Sequence, residues 1–145
     1  FEQIDFSVWD RERELARSLE IHESDFKAYG SDIDRNALEI ARQNAMRAGV
    51  SDYIELRRAD LKDFKPVTER GTVICNPPYG ERMLSQGQVS EIIKTMGRVF
   101  PKKHGFSYSI ISPSEDFEDL FARKADKRRK LYNGMIKCQM YMYFK

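Results

Sequence analysis

The sequence predicts an α/β fold, a mainly parallel sheet flanked by helices and closed by an antiparallel hairpin. Strand-like and helix-like segments alternate from Lys27 to Ile111, the order that builds parallel sheets with right-handed crossovers. Three of those strands end in a polar residue: Asp32, Asp60 and Asn76. Two further β-rich segments, Arg128 to Tyr132 and Met135 to Phe144, meet around Asn133-Gly134, a pair that favours tight turns between antiparallel strands.

Each element has a local cause. From about Ser7 to Glu20, Val8, Trp9, Leu15, Ala16 and Leu19 form the apolar face of an amphipathic helix, with Ser7 as its cap. Trp9 is expected to anchor that helix on the sheet. Lys27 to Asp32 is a short strand ending in an acid. Asp34 then caps a helix with an apolar stripe of Ala37, Leu38, Ala41, Ala45 and Ala48, stopped at Gly49. A second strand runs from Tyr53 to Asp60, followed by a loop around Phe64 and Pro66. Thr72 to Cys75 reads as a buried strand that stops at Asn76-Pro77-Pro78-Tyr79, because neither proline has an amide hydrogen to continue a ladder. Val89, Ile92, Ile93, Met96, Val99 and Phe100 recur at helical spacing before Pro101 and predict a crossover helix. Phe106 to Ile111 is the next strand. Ser114 is expected to cap a helix holding Phe117, Leu120 and Phe121, with Glu115 and Asp116 near its N-terminus.

The 145 residues suffice for one core, and no repeat or linker divides them, so residues 1–145 read as one partial domain. A third of the chain is charged, yet the net charge is only +2, a balance that neither demands nor excludes nucleic acid. No apolar run approaches the ~20 residues of a membrane helix. Cys75 and Cys138 lack metal-ligand spacing, and two thiols with two scattered histidines predict a reducing cytosol and no structural metal. His22 and His104 lie in polar contexts and read as surface groups.

The run Asn76-Pro77-Pro78-Tyr79 resembles the motif of S-adenosylmethionine-dependent methyltransferases that modify exocyclic amino nitrogens. Such nitrogens are poor nucleophiles because their lone pair is delocalised. The resemblance implies that the Asn76 side-chain oxygen and the Pro77 carbonyl each accept an N–H bond, aligning the nitrogen with the methyl group. Tyr79 would stack on the target base and Pro78 would line the substrate site.

Over nearly the whole chain the sequence is further similar to the catalytic domain of bacterial 23S rRNA guanine-N2 methyltransferases, the enzymes that carry a THUMP RNA-binding domain before the methylase. The residues behind this are Tyr29-Gly30-Ser31-Asp32-Ile33-Asp34, Asp60, the extension Gly80-Glu81-Arg82, and Leu131-Tyr132-Asn133-Gly134. The resemblance implies a Rossmann-like class I methyltransferase sheet. It implies Asp32 on the cofactor ribose, Asp60 accepting from the adenine amino group, and Ile33 in the adenine pocket. Asn76, Pro77 and Tyr79 would receive a guanine N2, with Asn76 also bordering the cofactor. Adenine N6 and a protein glutamine amide are alternative targets, and a non-catalytic RNA-binding fragment is another reading.

One departure bears on the cofactor. The family's glycine-rich loop follows a first, central strand that precedes the segment where this chain begins, and the eight glycines here include no G-x-G pair. Phe1 is not an initiator residue. The expectation is therefore a sheet without its N-terminal strand and glycine-rich loop, supplied either by upstream residues of the same protein or by a partner segment. The cluster Arg123 to Lys130 is the densest positive charge, read either as an rRNA phosphate contact, with Lys127 and Arg128 foremost, or as protection of an edge strand. Arg82 is a weaker substrate contact. Trp9 has RNA contact as its alternative role.

Overall fold

The computed structural model describes residues 5–21, 24–79 and 84–144. Helix α1 spans Ser7–Ser18, β1 Ala28–Asp32, α2 Arg35–Arg47, β2 Ile54–Arg58 and β3 Gly71–Cys75. They are followed by α3 Gln86–Val99, β4 Phe106–Ser112, α4 Phe117–Leu120, β5 Lys127–Asn133 and β6 Ile136–Tyr143. Two sheets result. β1 and β2 pair in parallel, and β3, β4, β6 and β5 lie in that order, with β3–β4 parallel and the other two pairings antiparallel. One edge of β1 and one edge of β3 therefore have no strand partner among the described residues.

The core sits on one face of the four-stranded sheet. β4 alternates strictly, with Phe106, Tyr108, Ile110 and Ser112 buried. Tyr141 and Tyr143 of β6 share that face, covered by Ile93, Met96 and Phe100 from α3 and its end and by Phe117 and Phe121 from α4 and its end. The buried tyrosines place their hydroxyls on backbone carbonyls: Tyr108 on Pro101 (2.7 Å), Tyr141 on Ser114 (3.0 Å) and Tyr143 on Arg123 (3.2 Å). Each ring thus buries a large apolar area while its polar end stays satisfied. Met142 is buried as well, so the segment Tyr141 to Tyr143 is covered on both faces.

Several local expectations hold. Asp34 accepts from the Asn36 amide at 2.8 Å and caps α2, whose Leu38 and Ala45 are buried. Gly49 takes φ +69° beyond the helix end, a conformation that favours glycine. Other expectations fail. Ser7 is the first helical residue of α1, and Asp5 accepts from its amide (3.0 Å) and its hydroxyl (2.7 Å) instead. Trp9 is half exposed and no residue of α1 is buried, so it does not anchor the helix on the sheet. The Ser114 amide donates to Ser112 Oγ, and α4 starts at Phe117, two residues beyond the expected first helical residue, without a side-chain cap. Arg123 leaves the basic cluster altogether. Its guanidinium lies 4.8 Å from the Phe121 ring centre, 5.2 Å from Tyr143 and 5.6 Å from Tyr108, and donates to the Phe100 carbonyl at 3.0 Å.

The β1–β2 part meets the main core through the turn that follows β2. Leu61 and Phe64, in and beside the short turn Leu61–Asp63 after β2, pack on the main core, with Phe64 edge-on to Phe100 at 5.0 Å. Gly97 lets α3 approach the end of α4 so closely that a Cβ there would collide with the Phe121 carbonyl. Gly97→Ala gains up to about 1 kcal/mol of helix propensity and meets a backbone atom that cannot swing away, an overpacking cost of about 1–3 kcal/mol. The variant is expected to melt at a lower temperature than the unaltered protein in a thermal denaturation scan. An equal or higher midpoint would contradict this packing.

Candidate active site and family

Each predicted polar residue stands at or just beyond the carboxyl end of a parallel strand. Asp32 closes β1, and its Oδ1 accepts from the Asp34 amide at 2.8 Å. The ends of β1 and β2 are cross-linked there, since the Ala59 amide donates to the Asp32 carbonyl (3.1 Å) and Arg58 Nε to the Ile33 carbonyl (3.0 Å). Asp32 and Ile33 are both exposed. Asp60 follows β2. Its carboxylate accepts from the Lys62 amide at 3.0 Å and pairs with Lys62 Nζ at 3.3 Å. Those bonds, the backbone one foremost, hold its carboxyl below the ordinary carboxylate range. Asp60 thus keeps its charge at neutral pH.

Beyond β3 the chain turns into the Asn76 loop. Asn76 and Pro78 are exposed, Pro77 is buried and Tyr79 is half-buried. Tyr79 donates its hydroxyl to Asn76 Oδ1 at 2.5 Å, and Asn133 Nδ2 reaches the same hydroxyl at 3.5 Å. This places the β5–β6 turn directly against the loop. The topology demands that placement: β6 pairs antiparallel with β4, Ser112 opposite Gln139 and Tyr108 opposite Tyr143, so the turn lies at the carboxyl end of β4. Burial raises the Tyr79 hydroxyl above its ordinary value and keeps it a donor at neutral pH. A carboxamide oxygen has two lone pairs, so Oδ1 retains one for a substrate N–H. Behind the loop, Cys75 faces Met96 with Sγ–Sδ 3.8 Å, and burial pushes its thiol up to about 11. It is therefore a protonated packing group rather than a nucleophile.

The remaining predicted residues lie apart. Arg82 falls outside the described residues, as do His22 and Gly80. Lys127 opens β5 and is exposed, whereas Arg128 pairs with Glu118 at 3.5 Å. Six strand steps of ~3.3 Å separate Lys127 from Asn133, so these two lie about 20 Å of strand from the turn beside the loop. No hydrogen bond among the described residues links Asp32 or Asp60 to the Asn76 loop. Asn133 was legible in the sequence only as a turn residue; its contact with Tyr79 spans 54 positions.

An α/β sheet with acids ending two parallel strands and Asn-Pro-Pro-Tyr ending a third defines a class I methyltransferase fold. The comparisons give the family. Residues 5–142 match the UPF0020 family model, described as RMKL-like, methyltransferase domain, and the chain belongs to that family. It is 35% identical over 144 residues to the "Putative RNA methyltransferase YpsC" of Bacillus subtilis, covering 99% of this chain and 37% of that protein. It is 34% identical over 143 residues to the ribosomal RNA large subunit methyltransferase K/L of Shewanella baltica, covering 96% of this chain and 20% of the relative. Among solved structures, SMU.472, described as "a putative methyltransferase complexed with SAH", superimposes with a TM-score of 0.86 at 37% identity, over 98% of this chain and 38% of that one. The chain thus spans between a fifth and two fifths of the length of these relatives.

The Tyr79 hydroxyl should orient the Asn76 carboxamide, so Tyr79→Phe, which keeps the ring, is expected to lower methyl transfer about tenfold, the loss of one polar contact of ~1.4 kcal/mol. Because burial raises the hydroxyl, its ionisation should reduce activity only above the ordinary tyrosine range. A pH–rate profile of both proteins checks this. Equal turnover by the two would remove the hydroxyl from the mechanism.

Proposed function

We propose that this chain carries the methyl-transfer site of an enzyme that methylates the exocyclic N2 of a guanine in large-subunit rRNA, using S-adenosylmethionine as donor. The observation that supports it most is the stiff Asn76-Pro77-Pro78-Tyr79 loop at the end of β3, with the Asn76 oxygen held by Tyr79. The cofactor supplies an electrophilic methyl group. In this reading the target N–H groups donate to Asn76 Oδ1 and to the Pro77 carbonyl, which enriches the nitrogen and fixes its direction of attack. The nitrogen–carbon bond forms as the sulfur–carbon bond breaks, and the nitrogen then releases a proton, so no side chain needs to act as a base before attack. Tyr79 and Pro78 would flank the base.

The donor set fits the cofactor. Asp32 is exposed with one carboxylate oxygen on the Asp34 amide and the other unengaged among the described residues, suited to a ribose diol. Asp60 is charged and suited to accept from an adenine amino group. Ile33, 60% exposed, is an apolar surface beside them. We further propose that the open edges of β1 and β3 receive a parallel strand and glycine-rich loop from the rest of the protein, and that substrate-targeting parts such as a THUMP domain lie outside residues 1–145. Lys127, Arg128 and Arg82 are proposed contacts to rRNA phosphates, and the enzyme is proposed to work in the cytosol. No helix among the described residues is long and apolar enough to cross a membrane.

Two measurements test these readings. Asn76→Ala is expected to keep S-adenosylmethionine affinity and lose 10²–10³-fold in turnover, about 3–4 kcal/mol of barrier. Unchanged turnover rules out its role. In calorimetry, a form extended upstream is expected to bind S-adenosylmethionine much more tightly than residues 1–145. Equal affinity would show that the pocket needs no added strand.

A further inference from the structure

The turn that meets the Asn76 loop carries an unassigned surface. Tyr132, adjacent to Asn133, is 61% exposed, and Lys130 Nζ stands over its ring at 5.3 Å from the centroid. Lys130 and Tyr132 share one face of β5, and Lys137 faces Tyr132 across the β5–β6 pairing. Neither lysine makes an ion pair among the described residues, in contrast to Arg128 further down the strand, which is tied to Glu118. An exposed aromatic ring with two lysines that make no ion pair among the described residues, one of them already over the ring and both near a contact to the Asn76 loop, combines a stacking platform with phosphate attraction. Lysines also guard edge strands from pairing, but that role requires neither the ring nor this position beside Tyr79.

We propose that the tip of the β5–β6 hairpin holds a single-stranded nucleotide next to the target base, its base stacked on Tyr132 and its phosphates met by Lys130 and Lys137. This rests on the reading that the Asn76 loop acts on RNA. An unpaired strand is required, because bases stacked within a duplex offer no free face to the ring. Arg128 and Lys127 lie two and three residues before Lys130 on β5, roughly 7–10 Å along the strand, and would then serve the next phosphates of the same RNA.

The test uses the whole protein and a short single-stranded RNA bearing the target guanine, followed by fluorescence anisotropy across a salt series. Tyr132→Ala is expected to weaken binding about tenfold and Tyr132→Phe to preserve it, since stacking needs the ring alone. Lys130→Gln with Lys137→Gln should lower the slope of log affinity against log salt by about 1.4, two single-strand phosphate contacts at ~0.7 each. At saturating RNA all these variants should keep kcat, with the loss confined to KM. Unaltered affinity and slope in the variants overturn the proposal while leaving guanine methylation by the unaltered protein intact. Equal losses in the Ala and Phe variants overturn the stacking role. An unaltered protein that methylates a glutamine peptide and ignores RNA overturns both the proposal and the reading beneath it.

Discussion

The ladder between β3 and β4 ends at Cys75 opposite Ile110 because the chain then meets two prolines. Without amide hydrogens, Pro77 and Pro78 cannot extend the pairing, and their fixed backbone angles leave the loop few conformations. Pro77 is buried and so anchors the loop, while Asn76 and Pro78 on either side face outward. A carboxamide that must accept a bond from a weak nucleophile gains from this stiffness, since less ordering remains to be done when substrate arrives. The Tyr79 hydroxyl, itself touched by Asn133, restrains the one rotation that prolines cannot control, that of the Asn76 amide.

That loop is only as rigid as the sheet beneath it. The core provides rigidity through aromatic rings locked at both ends: Phe117 stacks on Tyr141 at 4.2 Å, Phe100 on Tyr108 at 5.1 Å, and each buried tyrosine hydroxyl is bonded to a carbonyl. Arg123 closes the arrangement by lying among three rings and donating to the Phe100 carbonyl. A guanidinium loses less on leaving water than an ammonium does, which suits it to this half-buried place. The part built from β1, α2 and β2 has a thinner core, Leu38 and Ala45, and leans on the rest through Leu61 and Phe64. Tyr29, Ile33 and Ile74 are exposed on and beside β1 and β3.

Much of this was legible in the sequence where the cause is local. Asp34 caps the helix that follows it, Gly49 ends that helix with a positive φ, and Asn133-Gly134 turns the hairpin, because each depends on a few neighbouring atoms. The strand stop at Asn76 followed from proline chemistry alone. Most of what escaped depends on partners distant in the chain. Arg123 reads as one more cation in a basic run until the fold brings Tyr108 and Tyr143 around it. Ser7 is a sound cap by type, but Asp5 offers the helix a charged acceptor two residues earlier. The Tyr79–Asn133 contact has no local signature at all.

The proposed role of the Asn76 loop is to direct a methyl group to a guanine N2 in rRNA. It is tested most directly by incubating the whole protein with ribosomal RNA and isotope-labelled S-adenosylmethionine, then digesting the RNA and identifying the labelled nucleoside by mass spectrometry. The account predicts label in N2-methylguanosine, lost when Asn76 is replaced by alanine. Label in N6-methyladenosine, or in protein with none in RNA, would contradict it.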